Sequence, residues 1–430
     1  MVNVKQQTAL SSPLVKIHSE KTGMTAYTKV SFPVHYGRYS EIETREFHLL
    51  FNRNHEIRHA KSKSSDWTDP SEWMKRTAAN DWIYYSTGGY AGVFESIGEY
   101  YLPNLNYPTN GLLGGKPFDR PEVSEVVNHW HPLLLDLFYT HPDLEHQYPE
   151  LIRGIRKNTP EHLELKANML FDLLGRRLTV LPPDARHVDY DLIPLNISDG
   201  CLYKCRFCAV KNPVPFAARP MSGIKTQVER LKRLYGQDLI NYNSLFLGEH
   251  DALNCPDDLI LHAAQHAFDT LELDRSIMQG RNLFLFGSTG SFLEKLKSGD
   301  CFFQRLKSLN CMTYINLGLE SADQQTLDDI GKSFGEKDVC HAFEQMQQIN
   351  ARMPHVEITC NFLFGEDLRD DHYNKMLALI RDGARFTQPK GSVYLSPVEF
   401  DAPAREKLFF FNRIKTLSRF PTFLYIIQRL

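Results

Sequence analysis

The chain has 430 residues, a length that suggests two or three domains, and at 42% hydrophobic it can bury a full core. A formal net charge of −3 gives no reason to expect a polyanionic partner, which argues against nucleic acid. No apolar run approaches the ~18 residues of a membrane span, and the first residues, Met-Val-Asn-Val-Lys-Gln-Gln, carry no apolar signal core, so a cytoplasmic enzyme is the expectation.

Residues 1–25 are polar and are expected to be loosely held. Val30, Phe32, Val34 and Tyr36 then alternate with polar residues, as in a half-buried strand. Gly37-Arg38 is a turn candidate, and 42–51 reads as a return strand closed by Asn52-Arg53-Asn54. This predicts a small antiparallel meander over 26–60. Asp69-Pro70 is a helix-start signal and predicts a helix over 70–79. The glycine-rich stretch 86–93 lacks the Lys-Ser/Thr of a phosphate-binding loop and reads as a tight turn. After the proline- and glycine-rich stretch 103–121, helices are expected near 121–139, 145–158 and 161–177. His129, His131, His141 and His146 fall among them, but His129 and His131 are two apart and point to different sides of a helix. Packing and capping roles are therefore expected, not a metal site. Pro182-Pro183-Asp-Ala-Arg-His187 is the linker candidate that closes an N-terminal α+β region over 1–185.

Beyond it stands Cys201-Leu-Tyr-Lys-Cys205-Arg-Phe-Cys208, three cysteines at C-x3-C-x2-C spacing after an apolar run. Thiolates are soft ligands that suit zinc or iron–sulfur clusters. A structural zinc site or an ordinary 4Fe–4S carrier takes four protein ligands, and no fourth cysteine follows before Cys255. Three thiolates on a four-iron cube would leave one iron open to a small ligand; a zinc knob is the competing reading of the spacing alone. Cys255, Cys301, Cys311, Cys340 and Cys360 are scattered and read as small buried apolar residues.

From 191 to 400, short apolar runs alternate with helical stretches, the mark of βα units and a parallel sheet. Strands are predicted at 191–197, 244–249, 282–288, 312–319, 356–364 and 391–397. Helices are predicted near 224–236, 257–273, 290–308, 322–330, 335–350 and 369–384. Chemistry in such folds sits at the C-terminal strand ends. Those ends carry Gly248-Glu249, Gly287-Ser288-Thr289, Gly318-Leu-Glu320-Ser321 and Asn361-Phe-Leu-Phe-Gly365, and Lys332 follows Glu320 by twelve positions.

The cysteine spacing, with Phe207 before the third cysteine, resembles the radical SAM superfamily. Ile315-Asn-Leu-Gly-Leu-Glu320-Ser-Ala-Asp323 resembles the oxygen-independent coproporphyrinogen oxidases, the methylthiotransferases and the Elongator catalytic subunit family. The resemblance covers about 191–400 and implies an α/β fold with a partial (β/α)6 barrel. It also implies a 4Fe–4S cluster on Cys201, Cys205 and Cys208 and S-adenosylmethionine chelated to the open iron. Reductive cleavage would then give a 5′-deoxyadenosyl radical that takes a hydrogen atom from a substrate. Phe207, Gly248, Glu249, Ser288, Glu320, Lys332 and Asn361 would cradle the cofactor. Glu249 would meet its amino group and Lys332 its carboxylate, Glu320 and Asn361 the ribose, and the Phe362–Gly365 strand the adenine. Leu247 replaces the first glycine of the family's Gly-Gly-Glu, and Lys332 replaces an arginine, losing the bidentate fork but keeping the charge.

The segment 405–430 reads as a basic amphipathic helix, broken at Phe420-Pro421, and is expected on the barrel edge, with a membrane or RNA surface as the competing reading. The implied partners are a small or medium-sized metabolite and a low-potential donor such as ferredoxin or flavodoxin. The N-terminal region is expected to lie over the barrel mouth. The competing functions are a nucleic-acid-modifying enzyme and a heme carrier related to coproporphyrinogen oxidase.

Overall fold

The computed structural model describes residues 15–28, 34–67, 72–85, 101–103 and 120–430, apart from 179, 204, 209–213, 388, 399–403, 426 and 429. The glycine-rich stretch 86–93 and most of the loop 103–121 lie outside the described residues.

The N-terminal part is a seven-stranded antiparallel sheet in sequence order. Its strands are β1 (Val15–Thr22), β2 (Arg38–Thr44), β3 (Phe47–Phe51), β4 (Ile57–Ser62), β5 (Trp73–Arg76), β6 (Trp82–Tyr85) and β7 (Tyr101–Pro103). It is larger than the meander expected. Val15–Thr22 is a strand, not a loose end, because it pairs with β2 along most of its length. The return strand expected over 42–51 is two strands with a turn between them, where Phe47 N donates to Thr44 Oγ1 at 2.9 Å. The helix expected over 70–79 is also corrected: β5 pairs with β4 and β6. The cap signal at Asp69-Pro70 is local, whereas Lys75 is held in the strand by burial against distant carboxylates.

The helices Pro121–Thr140, Pro149–Lys157 and Pro160–Leu174 cover this sheet and lie close to where the sequence placed them. Val123, Val126, Trp130 and Leu134 bury one face of the first against Phe51, Ile57 and Ala60. His131 is buried there with its Nε2 3.2 Å from Ile155 O, a packing role.

The second sheet is parallel, in the order β16-β15-β14-β13-β12-β11-β8. Its strands are β8 (Ile193–Asn196), β11 (Ser244–Gly248), β12 (Asn282–Ser288), β13 (Met312–Glu320), β14 (Val356–Phe364), β15 (Val393–Pro397) and β16 (Thr422–Leu424), with a short β9–β10 hairpin (Ser198–Asp199, Ala217–Ala218) beside β8. The six strands expected are present, and β16 is an addition. The tail is the helix Ala404–Leu417 followed by β16, which pairs with β15. Pro421 ends the helical pattern and Thr422-Phe-Leu424 supplies the edge.

Register puts Asn196 beside Gly248, Ser288 beside Gly318, and Asn361 between Gly318 and Tyr394. These residues share one face at or near the C-terminal strand ends. The alternate residues, such as Leu245, Leu247, Leu283, Leu285, Ile315 and Leu317, are fully buried in the core on the other face. Helix Met221–Tyr235 joins that core through Ile224, Val228, Leu231 and Tyr235, spaced four, three and four apart.

The linker expected at 182–187 is a buried 3-10 turn, Pro183–Val188. His187 stacks on Tyr314 and the Arg186 guanidinium lies 3.7 Å from the Phe423 ring centre, so the segment plugs the lower half of the parallel sheet. Cys301 and Cys340 are exposed, contrary to the expectation that all the scattered cysteines are buried.

The described strands of the N-terminal region do not lie over the mouth. They dock where the parallel strands begin. Arg58 and Lys75 reach Asp191, just before β8. Asn52 donates to Asp238 at 3.1 Å and Asn241 to Arg38 O at 2.9 Å, both before β11. A space of about 560 Å³ lined by Tyr27, Arg58, His59, Lys75, Asp191 and Tyr242 lies in this contact, at the opposite end from the cysteines. Among the described residues of this region, the end of helix Pro160–Leu174 turns toward the mouth. Leu174 O accepts from Asn196 at 3.0 Å, and Gly175, at φ +86°, closes the helix in the left-handed conformation glycine favours.

Candidate active site

The cysteine loop leaves β9 and runs beside the mouth of the parallel sheet. Cys201 N donates to Val214 O at 3.1 Å, and Arg206 donates to Ile330 O and Asp329 O, both at 3.0 Å. The loop is thus tied to the turn that carries Lys332. Cys205 is buried, and Cys201 and Cys208 are half-buried; all three are free thiols. Burial pushes the Cys205 thiol up, against the pull of the Lys332 charge.

Lys332 is the centre of the site. Its ammonium lies 3.1 Å from Glu320 Oε1 with both side chains nearly buried. It also faces the Cys205 sulfur. The rings of Tyr203, Phe207 and Phe334 surround it at 5.3, 5.6 and 5.5 Å from their centres. Burial alone would lower the lysine pKa, but the Glu320 carboxylate and the Cys205 thiol outweigh it and hold the ammonium above its ordinary range. Glu320 reaches this position from a residue at φ +63°, where the β13–β14 register shifts. A non-glycine residue in that region is uncommon and costs backbone energy.

Ser288 ends β12 and caps the next helix, accepting from Ser291 N at 3.0 Å. It also meets Tyr203 of the cysteine loop at 3.1 Å. Asp251 ties this turn down, accepting from Ser288 N at 3.2 Å and from Ser291 Oγ at 2.7 Å. Its other oxygen is buried with no partner among the described residues, and burial raises its pKa. Glu249, at the neighbouring strand end, is buried against Arg176 at 2.7 Å. Burial and the Arg176 charge lower the pKa of the adjacent His250 to about 4. Asn361 is buried in a reciprocal amide pair with Asn316, at 2.6 and 3.2 Å.

The structure therefore brings Cys205, Phe207, Ser288, Glu320 and Lys332 into one connected group. Asn361 lies beside Gly318 and Glu249 at the next strand end. Sequence reasoning missed Tyr203, Asp251, Arg176 and Asn316. Asp251 stood two residues beyond Glu249 in a strand-end run and was within reach of that logic. Arg176 had no such signal.

Among the described residues no three His, Cys, Asp or Glu converge on one metal-ion position. A four-iron cluster asks for a different arrangement, since each thiolate binds its own iron. Three free thiols on one loop beside a buried cation fit that demand.

No protein-family model matches the chain. Ribosomal protein uS12 methylthiotransferase RimO of Ruegeria sp. (strain TM1040) is 28% identical over 160 residues, 36% of this chain and 30% of that protein. RimO of Methylococcus capsulatus is 29% identical over 140 residues, 32% and 26% of the two chains. Both matches support a radical SAM superfamily enzyme. The chain spans at most 30% of the length of these two relatives. A solved structure of the cobalamin-dependent S-adenosylmethionine radical enzyme OxsB aligns with 55% of this chain and 32% of its own, at 16% identity and a TM-score of 0.35, too distant to add to the assignment.

Proposed function

We propose that this radical SAM chain assembles a 4Fe–4S cluster on Cys201, Cys205 and Cys208, binds S-adenosylmethionine against it, and abstracts hydrogen from an organic substrate. The observation that carries this reading is the meeting at Lys332. There a thiol of the cysteine loop, a carboxylate from the end of β13 and three aromatic rings enclose one ammonium. When bound, the cluster supplies a low-potential electron and S-adenosylmethionine the group that takes up hydrogen.

The protein's part is to hold and enclose. Lys332 can exchange part of its contact with Glu320 for the cofactor's carboxylate, a charge-assisted bond. Glu320 and Asn361 offer acceptors and a donor to ribose hydroxyls, and the Phe362–Gly365 strand an apolar edge for adenine. Ser288 and the loop aromatics, Phe207 among them, close the mouth against water. Glu249 can take the amino group once its contact with Arg176 is shared. In this reading the six strands from β8 to β15 of the parallel sheet form a partial barrel over 186–400, with 1–185 and 401–430 as appended regions, the latter adding β16 at its edge.

The proposed substrate is a small or medium-sized metabolite. A polypeptide side chain is the second reading, favoured by likeness to RimO, whose name assigns it a ribosomal protein. Electrons would come from a donor such as ferredoxin or flavodoxin, in the cytoplasm; among the described residues no helix is long and apolar enough to cross a membrane. Anaerobic reconstitution tests the cluster. About four irons and four sulfides per chain are expected, with a paramagnetic signal after dithionite reduction that changes when S-adenosylmethionine is added. Stoichiometric zinc without iron would overturn the reading.

A further inference from the structure

Asp184 lies in the plug, on none of the strands, and is fully buried. Two hydroxyls donate to it: Thr359 Oγ1 to Oδ2 at 2.7 Å and Tyr394 OH to Oδ1 at 2.9 Å. We propose that Asp184 is a positioning residue. Through Thr359 and Asn316 it fixes the amide orientation of Asn361, and so decides where that residue's free donor and free acceptor meet a ligand hydroxyl. The proposal rests on the reading of Asn361 as part of the cofactor cradle.

The argument is one of counting. A threonine hydroxyl has a single proton. With that proton given to Asp184, Thr359 Oγ1 can only accept, and Asn316 Nδ2 donates to it at 2.8 Å. The same nitrogen donates to Asn361 Oδ1 at 3.2 Å, while Asn361 Nδ2 donates to Asn316 Oδ1 at 2.6 Å. Two amides paired in this way are satisfied equally well if both turn over together. Nothing within the pair prefers one arrangement, and the group that breaks the tie is the one that faces Asn316 from outside. If both amides turned, Asn316 Oδ1 would face Thr359 Oγ1, and an oxygen would meet an oxygen whose proton is already committed.

The direction of one hydroxyl proton, set by Asp184, is therefore passed along three side chains. All of them are buried, Asp184, Thr359 and Asn316 at 0% exposure and Asn361 at 7%, so water is poorly placed to repair a wrong arrangement. Asn361 keeps one N–H and one oxygen lone pair beyond the pair, a match for a group that both donates and accepts. In the cofactor reading that group is the ribose diol. Turning the pair would exchange the two sites and set donor against donor. The Arg186 guanidinium packed on the Phe423 ring anchors the plug that carries Asp184.

The test is equilibrium binding of S-adenosylmethionine, at about pH 8 where Asp184 is a carboxylate, to full-chain, anaerobically reconstituted protein with iron content matched to wild type. Asp184→Asn can donate to Thr359 and release its proton toward Asn316. It should weaken binding about threefold to tenfold, the worth of one hydrogen bond. Asn361→Ala should cost a similar factor, and the double variant no more than Asn361→Ala alone, because the two act through one contact. Thr359→Val, which removes the relay, should match Asp184→Asn, and Thr359→Ser should restore binding. If Asp184→Asn fails to fold, the valine and serine pair at 359 carries the test alone. Losses that multiply in the double variant would overturn the proposal, as would wild-type binding by Thr359→Val. If Asn361→Ala binds normally while Lys332→Met does not, this inference falls and the cofactor site stands. If neither weakens binding, both fall.

Discussion

Where the parallel strands begin, buried charges join one layer to another. Arg58 and Lys75 both reach Asp191, with Lys75 at 2.8 Å, and Lys166 and Arg76 both reach Glu56. Where the strands end, one cation is shared among unlike groups. Lys332 faces a carboxylate, a thiol and three rings, and Asp251 keeps an oxygen without a partner among the described residues. Cations matched to carboxylates across a contact suit an interface that stays shut. Pairing that a ligand can enter suits a site. The difference makes the space beside the N-terminal sheet a packing feature and the cysteine end the place for chemistry.

The comparison breaks most visibly at the cysteines. Cys205→Ala should abolish cluster assembly, since no described side chain stands in for that thiol; iron content after reconstitution measures it. The next effect belongs to the opposite end. Asp191→Ala leaves Arg58 and Lys75 buried without their shared carboxylate and should cost about 3–5 kcal/mol of stability, read by denaturant unfolding, with little change in cofactor affinity. Lys332→Met should do the reverse and lose about 1.5–3 kcal/mol of S-adenosylmethionine binding, with Lys332→Arg losing less. Because Lys332 also neutralises buried Glu320, some loss of stability in Lys332→Met is expected as well.

The smallest effect is a pH dependence. Burial pushes the Asp184 pKa to about 7 and Glu357 adds to the rise; the Thr359 and Tyr394 hydroxyls and the Arg186 charge oppose it. Between the ordinary carboxylate range and about 7, the folded chain holds a proton that the unfolded chain has released, so this group's contribution to stability falls as pH rises through that window. The difference in unfolding free energy, wild type minus Asp184→Asn, should therefore decline from pH 5 to pH 8, by on the order of 1–2 kcal/mol. A flat difference would place Asp184 outside this account.

The parallel strands were legible because each is an apolar run buried on both faces, as Leu245-Phe246-Leu247 is. The cysteines and the spacing from Glu320 to Lys332 were legible because their chemistry is local in sequence. What escaped was set at long range. Lys75 reads as a polar helix position until Asp191, more than a hundred residues away, is seen to hold it in β5. Asp184 reads as linker until Thr359 and Tyr394 close around it. The strand Thr422–Leu424 is too short to announce itself without the edge of β15. Glu249 could be placed at the mouth from sequence, but its contact with Arg176 could not.

The most direct test is whether reconstituted protein cleaves S-adenosylmethionine. Incubated with dithionite and the cofactor without oxygen, it should release 5′-deoxyadenosine, slowly even without substrate, and the Cys205→Ala protein should release none. No 5′-deoxyadenosine from protein with a full, reducible cluster and demonstrated cofactor binding would contradict the account.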